Sequence, residues 1–397
     1  MTLTALGFAW RSLRRQPARA ALGILGVAAV GALLFDMLLL SNGLVLSMRD
    51  MLDRAGFDLR VTATDALPGQ GPRLPRGVDT ARTLAKLPSV RAAMALRFAD
   101  ATLTPPNGEP LNASLQGFGG SGLHPWTVQA GRDLGGPDEV LINPGTADAM
   151  RVQPGGTLQA RPTCGGADAL PAVTLRVVGI ATFPFDGLSS STLVTTMDTL
   201  ARACGGNDVG DADLIMVASR DEVGSDAAAA AIRRTVPELQ VLTNAQLVGR
   251  LERGGFSYFR QISIVLTTVT LGFAVLLITV LLTVSVNQRL GDIAALRALG
   301  FTRGRVVSDV LCESGLIVGI GGALSLPLGF LLAWGLDTIL KRIPGLPSEA
   351  HFFVYEHRAL SLHILLLAGT ACAAALYPVL IVARLPIAAT LRNEVVG

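Results

Sequence analysis

Four stretches of this chain are apolar over lengths that a soluble domain rarely needs, and they dictate the architecture. A helix crossing a lipid bilayer needs about 20 apolar residues, and in hydrocarbon its backbone amides must be satisfied within the segment itself. Residues 20–46 meet that length with one acid, Asp36, inside them. Residues 262–286 carry no charge, the run 310–340 holds only Glu313 and Asp337, and the run 360–383 has only His363. The expected spans are 20–46, 259–286, 309–340 and 360–383. The first is long enough to continue outward as a stalk through Met48, Met51 and Leu52.

Charge placement orients these spans. Arg11, Arg14, Arg15 and Arg19 precede the first, Arg289, Arg297, Arg303 and Arg305 lie between the second and third, and Arg384 and Arg392 follow the fourth. The 341–359 connection carries only Lys341, Arg342 and Arg358. By the positive-inside rule both termini and the loop 287–308 are expected in the cytoplasm, with 47–258 and 341–359 outside. Residues 1–19 place Leu3, Leu6, Trp10 and Leu13 at helical spacing among arginines, the pattern of a short amphipathic helix lying in the headgroup layer of membrane lipids. A signal peptide does not fit, because the apolar run is far longer than an h-region of about 7–15 residues and no small-residue cleavage site follows.

Composition closes off other classes. Half of the residues are apolar and 16% charged, and a net charge of +3 is too small for a nucleic-acid binder. Four cysteines without a C-x-x-C pair give no zinc or redox motif, so no metal is expected. No phosphate-binding G-x-x-x-x-G-K-[ST] occurs, so ATP hydrolysis is not expected of this chain.

The soluble fold must lie in 47–258. Phe57–Thr64, Ala92–Leu103, Glu109–Phe118, Glu139–Ile142, Val173–Ile180, Leu214–Ser219 and Leu239–Leu242 read as strands. Val78–Leu87, Thr196–Cys204 and Glu222–Val236 read as helices. The expectation is an α+β domain with an interrupted subdomain, 57–118 and 212–245, around a β-richer insert at about 119–211.

Between the second and third spans, Asp292 to Leu299 combines good helix formers with an acid at its start and Arg297 near its end, and Gly300 can take the left-handed cap. A compact surface helix is expected there. The segment Asp292-Ile293-Ala294-Ala295-Leu296-Arg297-Ala298-Leu299-Gly300 resembles the E-I-G-x-L-R-A-L-G signature of the FtsX/MacB/LolC-type ABC permeases, departing at Asp292 and Ala294. The arginine cluster ahead of Gly26, the Tyr377-Pro378 pair and the closing Pro386 to Arg392 are similar to that family's other motifs. The resemblance implies four spans without a fused ATPase, and a coupling helix at Asp292, Ile293, Leu296, Arg297, Ala298, Leu299 and Gly300. It implies an inner-membrane permease subunit that transmits ATP-driven motion to an outside domain acting on a lipid, lipoprotein, peptide or drug. Implied partners are a cytoplasmic ABC ATPase holding the ATP and Mg, a second permease, either another copy of this chain or a close paralogue, and an adaptor with an outer-membrane channel. This chain itself is expected to bind no cofactor. The alternative is a scaffold that activates a cell-wall hydrolase; a secondary transporter is disfavoured by the missing inverted repeat.

Several residues stand out singly. Gly117-Phe118-Gly119-Gly120-Ser121-Gly122 fits G-x-G-x-x-G, but His124-Pro125 follows instead of a helix, so a plain loop is expected. Cys164 and Cys204 lie outside the membrane, where a disulfide is permitted, two free thiols being the other reading; Cys312 and Cys372 are expected to be small packing residues. Asp36 and His363 have comparable depths near the outer ends of their spans. Pairing or proton carriage is one role for Asp36, but a wet position at the outer interface is expected. Gly315, Gly319 and Gly322, with the row Gly321, Ser325 and Gly329, give the third span small faces for close helix packing. His124 has no organised nucleophile beside it, so hydrolase chemistry is not expected.

Overall fold

The computed structural model describes residues 7, 10–11, 14–15, 17–66, 71–106, 108–120, 122–164, 170–187, 189–206, 209–253, 257–288, 290–291, 294, 299, 302–341, 351, 353–355 and 357–383. Leu3, Leu6 and Leu13 of the expected amphipathic helix and the tail 384–397 lie outside these residues. In chain order the elements are α1 (Pro17–Arg54), β1 (Leu59–Thr62), α2 (Gly77–Leu84), β2 (Val90–Leu103), β3 (Leu111–Gly120), β4 (Thr127–Gly131), β5 (Glu139–Ile142), α3 (Pro144–Met150), β6 (Thr157–Thr163) and β7 (Val173–Thr182). They continue with β8 (Thr192–Thr196), α4 (Met197–Ala203), β9 (Leu214–Ser219), α5 (Ser225–Thr235), β10 (Gln240–Thr243), α6 (Asn244–Arg253), α7 (Ser257–Asn287), α8 (Arg303–Leu340) and α9 (His357–Ala383). Contacts divide the chain into a helical unit (1–44, 256–338, 352–397) and an α+β unit (45–255, 339–351).

In the helical unit, α1, α7, α8 and α9 are each long and apolar enough to cross a membrane. They are uniformly apolar because lipid on one side and neighbouring helices on the other make the same demand of a side chain. Val27, Ile278, Leu282, Ile317, Val318 and Ala374 form one core, and Phe35, Leu39, Ala333 and Ala359 a second. On α7, Phe273, Leu276 and Val280 stay exposed, as lipid-facing residues must.

The α+β unit is built on one ten-stranded sheet in the order β10-β1-β9-β2-β3-β8-β5-β7-β4, with β6 pairing β2 and β7. β1, β9, β10, β2 and β3 pair antiparallel, and the β3–β8 and β5–β7 pairs are parallel. Alternation sets the two faces. Leu59, Val61, Ile215 and Val217 point to a core closed by Ala81 and Leu84 of α2 and by Ala228 and Ile232 of α5. Met94, Leu96, Leu214 and Met216 belong to the core of the opposite face. A third core, with Leu103, Leu115, Ile142, Leu175 and Leu193, fills the insert.

The differences from the sequence reading have local causes. The helix expected from Glu222 starts at Ser225, after Gly224 with its φ of 77°. β4, β6, β8 and α3 have no counterpart in the sequence reading; all four are short, five to seven residues long. For α3 a signal did exist: Asn143 caps it, its side chain accepting from the Thr146 amide at 3.0 Å, and Pro144 opens it. The glycine run expected as a loop is strand through Gly120. Added Cβ atoms at Gly117 and Gly119 would stand 2.7 Å from Leu200 and 2.9 Å from Val78, so these glycines let α4 and α2 lie close on β3.

Candidate functional site

The segment expected to carry the coupling helix lies between α7, ending at Asn287, and α8, starting at Arg303. Of its residues, Leu290, Gly291 and Ala294 are helical and Ala294 is fully buried, while Leu299 lies in a turn and is 79% exposed. Asp292, Ile293, Leu296, Arg297, Ala298 and Gly300 lie outside the described residues.

In the membrane unit the small residues of α8 fall into two groups. A Cβ at Gly321 would meet Val27 Cβ at 2.7 Å and the Ile24 carbonyl at 2.9 Å; one at Gly329 would meet Phe35 at 3.0 Å and the Ala32 carbonyl at 3.1 Å. Ser325, between them, is fully buried opposite Gly31 of α1. This row seats α1, and Gly322 faces Leu367 of α9. Gly315 and Gly319, expected on the same kind of face, are exposed and have nothing within 4 Å of an added Cβ. At 3.6 residues per turn they point roughly 100° around the helix from that row. Cys372 is likewise exposed and not a packing residue, while Cys312 is half-buried.

Asp36 corrects the expectation of a wet interface: it is fully buried. It shares the face of Ala28, Ala32, Phe35 and Leu39, all buried. Neither carboxyl oxygen has a hydrogen-bond partner among the described residues. His363 is also buried; its Nε2 lies 3.0 Å from Ser325 Oγ, and its ring stands 5.2 Å from that of Phe35. The structure thus joins His363 to Ser325, not to Asp36. The α8–α9 pair His363–Ser325 was not read from the sequence, where Ser325 figured only as a small residue.

In the α+β unit, Cys164 and Cys204 form a disulfide, closing the end of β6 to the end of α4. Glu139, 3% exposed at the start of β5, gathers five donors. Arg132 binds both its oxygens, Arg176 reaches Oε1 at 2.5 Å, and the amides of Gly135 and Gly136 reach Oε2 at 3.0 and 3.1 Å. The Arg132 hydrogen bond above all, then the Gly135 amide and Arg176, overcome burial and hold the carboxyl at about 2. Nothing in the sequence pointed to this cluster. His124 stacks on Trp126 with ring centroids 4.7 Å apart, and both face Asp133. That arrangement orders an aromatic corner; it does not present a nucleophile.

Comparison with known proteins matches both halves of the chain. Residues 20–235 fit the family model of the MacB-like periplasmic core domain, and residues 264–387 that of the FtsX-like permease C-terminal region. No curated protein matches. Among solved structures, the periplasmic region of MacB from Actinobacillus actinomycetemcomitans is 14% identical, with a TM-score of 0.39, covering 51% of this chain and 95% of its own. The extracellular domain of the ABC-type transporter YknZ from Gram-positive bacteria is 17% identical, with a TM-score of 0.34, covering 47% and 99%. A domain of a permease protein from Porphyromonas gingivalis is 14% identical, with a TM-score of 0.31, covering 47% and 89%.

Proposed function

Because the chain belongs to the FtsX/MacB-type family of ABC transporter permeases, we propose that it is the membrane subunit through which a separate cytoplasmic ATPase moves an extracytoplasmic domain. The observation that carries this reading is α1. It is one helix of 38 residues, about 57 Å long at 1.5 Å per residue, against a hydrocarbon layer of about 30 Å. A helix that outlasts the membrane without a break can deliver a displacement to the domain that follows it.

In this reading both termini and the 287–308 loop are cytoplasmic, and the ATPase, which holds the ATP and Mg, docks on the segment from Asp292 to Gly300 with Leu299 as an apolar contact. A second copy of the chain completes the assembly, and the substrate is handled outside the membrane. Lipid, lipoprotein, peptide and drug substrates all fit. Leu296→Asp and Arg297→Glu should leave the chain inserted but uncouple ATP hydrolysis from transport in the reconstituted complex. Normal transport with a normal ATPase rate in both variants would move the docking surface elsewhere. Capture of a murein hydrolase on the outside domain, with no transported substrate, would favour the scaffold reading instead.

A further inference from the structure

Two of the chain's approaches to the α+β unit, those at either end of 45–255, meet within it. The first is the end of α1 at Arg54; the second is α6, whose Arg253 lies four residues before the start of α7 at Ser257. Asn244, the first residue of α6, donates from Nδ2 to Asp53 Oδ1 at 2.9 Å and to the Phe57 carbonyl at 3.3 Å. Its Oδ1 accepts from Arg60 Nη1. Its backbone amide donates to the Asp58 carbonyl at 2.9 Å, and the Asp58 carboxylate accepts from the Ser219 amide at 2.7 Å and from the Ser219 hydroxyl. The partners are up to 191 residues apart in sequence.

Strand alternation explains how Arg60 comes to be there. Leu59 and Val61 point to the helix-covered core, so Arg60 points to the other face, where it is only 7% exposed. Burial pulls the guanidinium down to about 10 while Asp53 and then Asp58 hold it up, so it remains charged at neutral pH. A buried cation is retained only where it is both hydrogen-bonded and countered, and here the bond goes to one helix start and the counter-charge comes partly from the other helix end.

We propose that Asp53, Arg60 and Asn244 are positioning residues, forming a part-buried polar clasp that fixes the end of α1 to the start of α6 and both to β1. The two helices that lead toward the membrane then cannot separate at the domain, and a push along either reaches the sheet near its β10 edge, where β1 pairs with β9 and β10. The mechanical use of the clasp rests on the transmission reading above; its existence does not.

Hydrogen exchange on the full chain in lipid nanodiscs tests it. Asn244→Leu should speed exchange in 50–58 and 240–253 by about tenfold or more, as expected when a buried donor and acceptor lose their partners, while β5 and β7 keep their rates. Asp53→Ala, an exposed position whose loss leaves Arg60 and Asn244 paired, should loosen only the end of α1 and decides the matter if the first variant does not fold. An oxidised Asp53→Cys/Asn244→Cys pair should restore protection. Unchanged rates at both helix ends, or a rise spread evenly over the domain, would overturn the clasp. In the ATPase complex, a non-hydrolysable ATP analogue should alter exchange in β1 and β9 of the wild type, and only in α1 of Asp53→Ala. No nucleotide response in the wild-type domain would count against the transmission reading, while the local rates would still decide the clasp.

Discussion

Glu139 is a carboxylate with almost no water and five donors, and its ionisation is tied to the folded state. Its folded value of about 2 lies below the ordinary 4.5, so it adds stability above pH 4.5 that is lost as pH falls toward 2. Thermal unfolding of the full chain should therefore lose stability across that window, and Glu139→Gln should flatten the loss there and lower the midpoint by a few degrees at neutral pH. An unchanged pH profile in Glu139→Gln would assign the acid sensitivity to other carboxylates. Asp36 is the opposite case, a buried carboxyl with no donor among the described residues. Removing an unsatisfied polar group from an apolar interior favours folding, so Asp36→Leu should raise the melting midpoint in detergent. A fall would mean that a second copy or another chain supplies the partner. Neither environment was legible in the sequence: Glu139 and Arg176 come together through strand register, and the burial of Asp36 depends on how α1 is seated.

Among elements, α8 shows how far a pattern of small residues can be read. The spacing of Gly321, Ser325 and Gly329 announced a close helix contact, and that row does meet α1. Gly315 and Gly319 carry the same spacing and meet nothing, because periodicity gives the faces of a helix and not the direction of its neighbour. Gly321→Leu should then destabilise the helical unit by about 1–3 kcal/mol through overpacking against the Ile24 carbonyl, and Gly315→Leu should change the melting curve very little. Equal effects would mean that a second copy covers Gly315. The strands with clear alternation and the four apolar helices were legible for the same reason: each satisfies its own backbone in a regular period. The short elements β4, β6 and α3 depend on cross-strand partners and caps, and left weaker marks.

At the scale of the whole molecule, the proposed function makes a prediction about the route of the substrate. Among the described residues the buried polar side chains of the spans are few, and Gly321, Ser325 and Gly329 of α8 are taken up by close contact with α1, so the proposal expects the substrate to be handled outside the spans. Photo-cross-linkers in the outside domain should recover substrate, and those along α7 and α8 should not. Cross-links at successive depths of α7 and α8 would replace this picture with a transmembrane pathway. The position of β1 carries a further consequence, one of timing. It is made early, yet its two sheet neighbours, β9 and β10, begin only at Leu214 and Gln240, about 150 residues after Thr62. At synthesis rates of about 5–20 residues per second, on the order of ten seconds pass before β1 finds either partner. Throughout that interval both edges of β1 lack their native neighbours, so the strand that anchors the clasp is fixed only after most of the domain has been made.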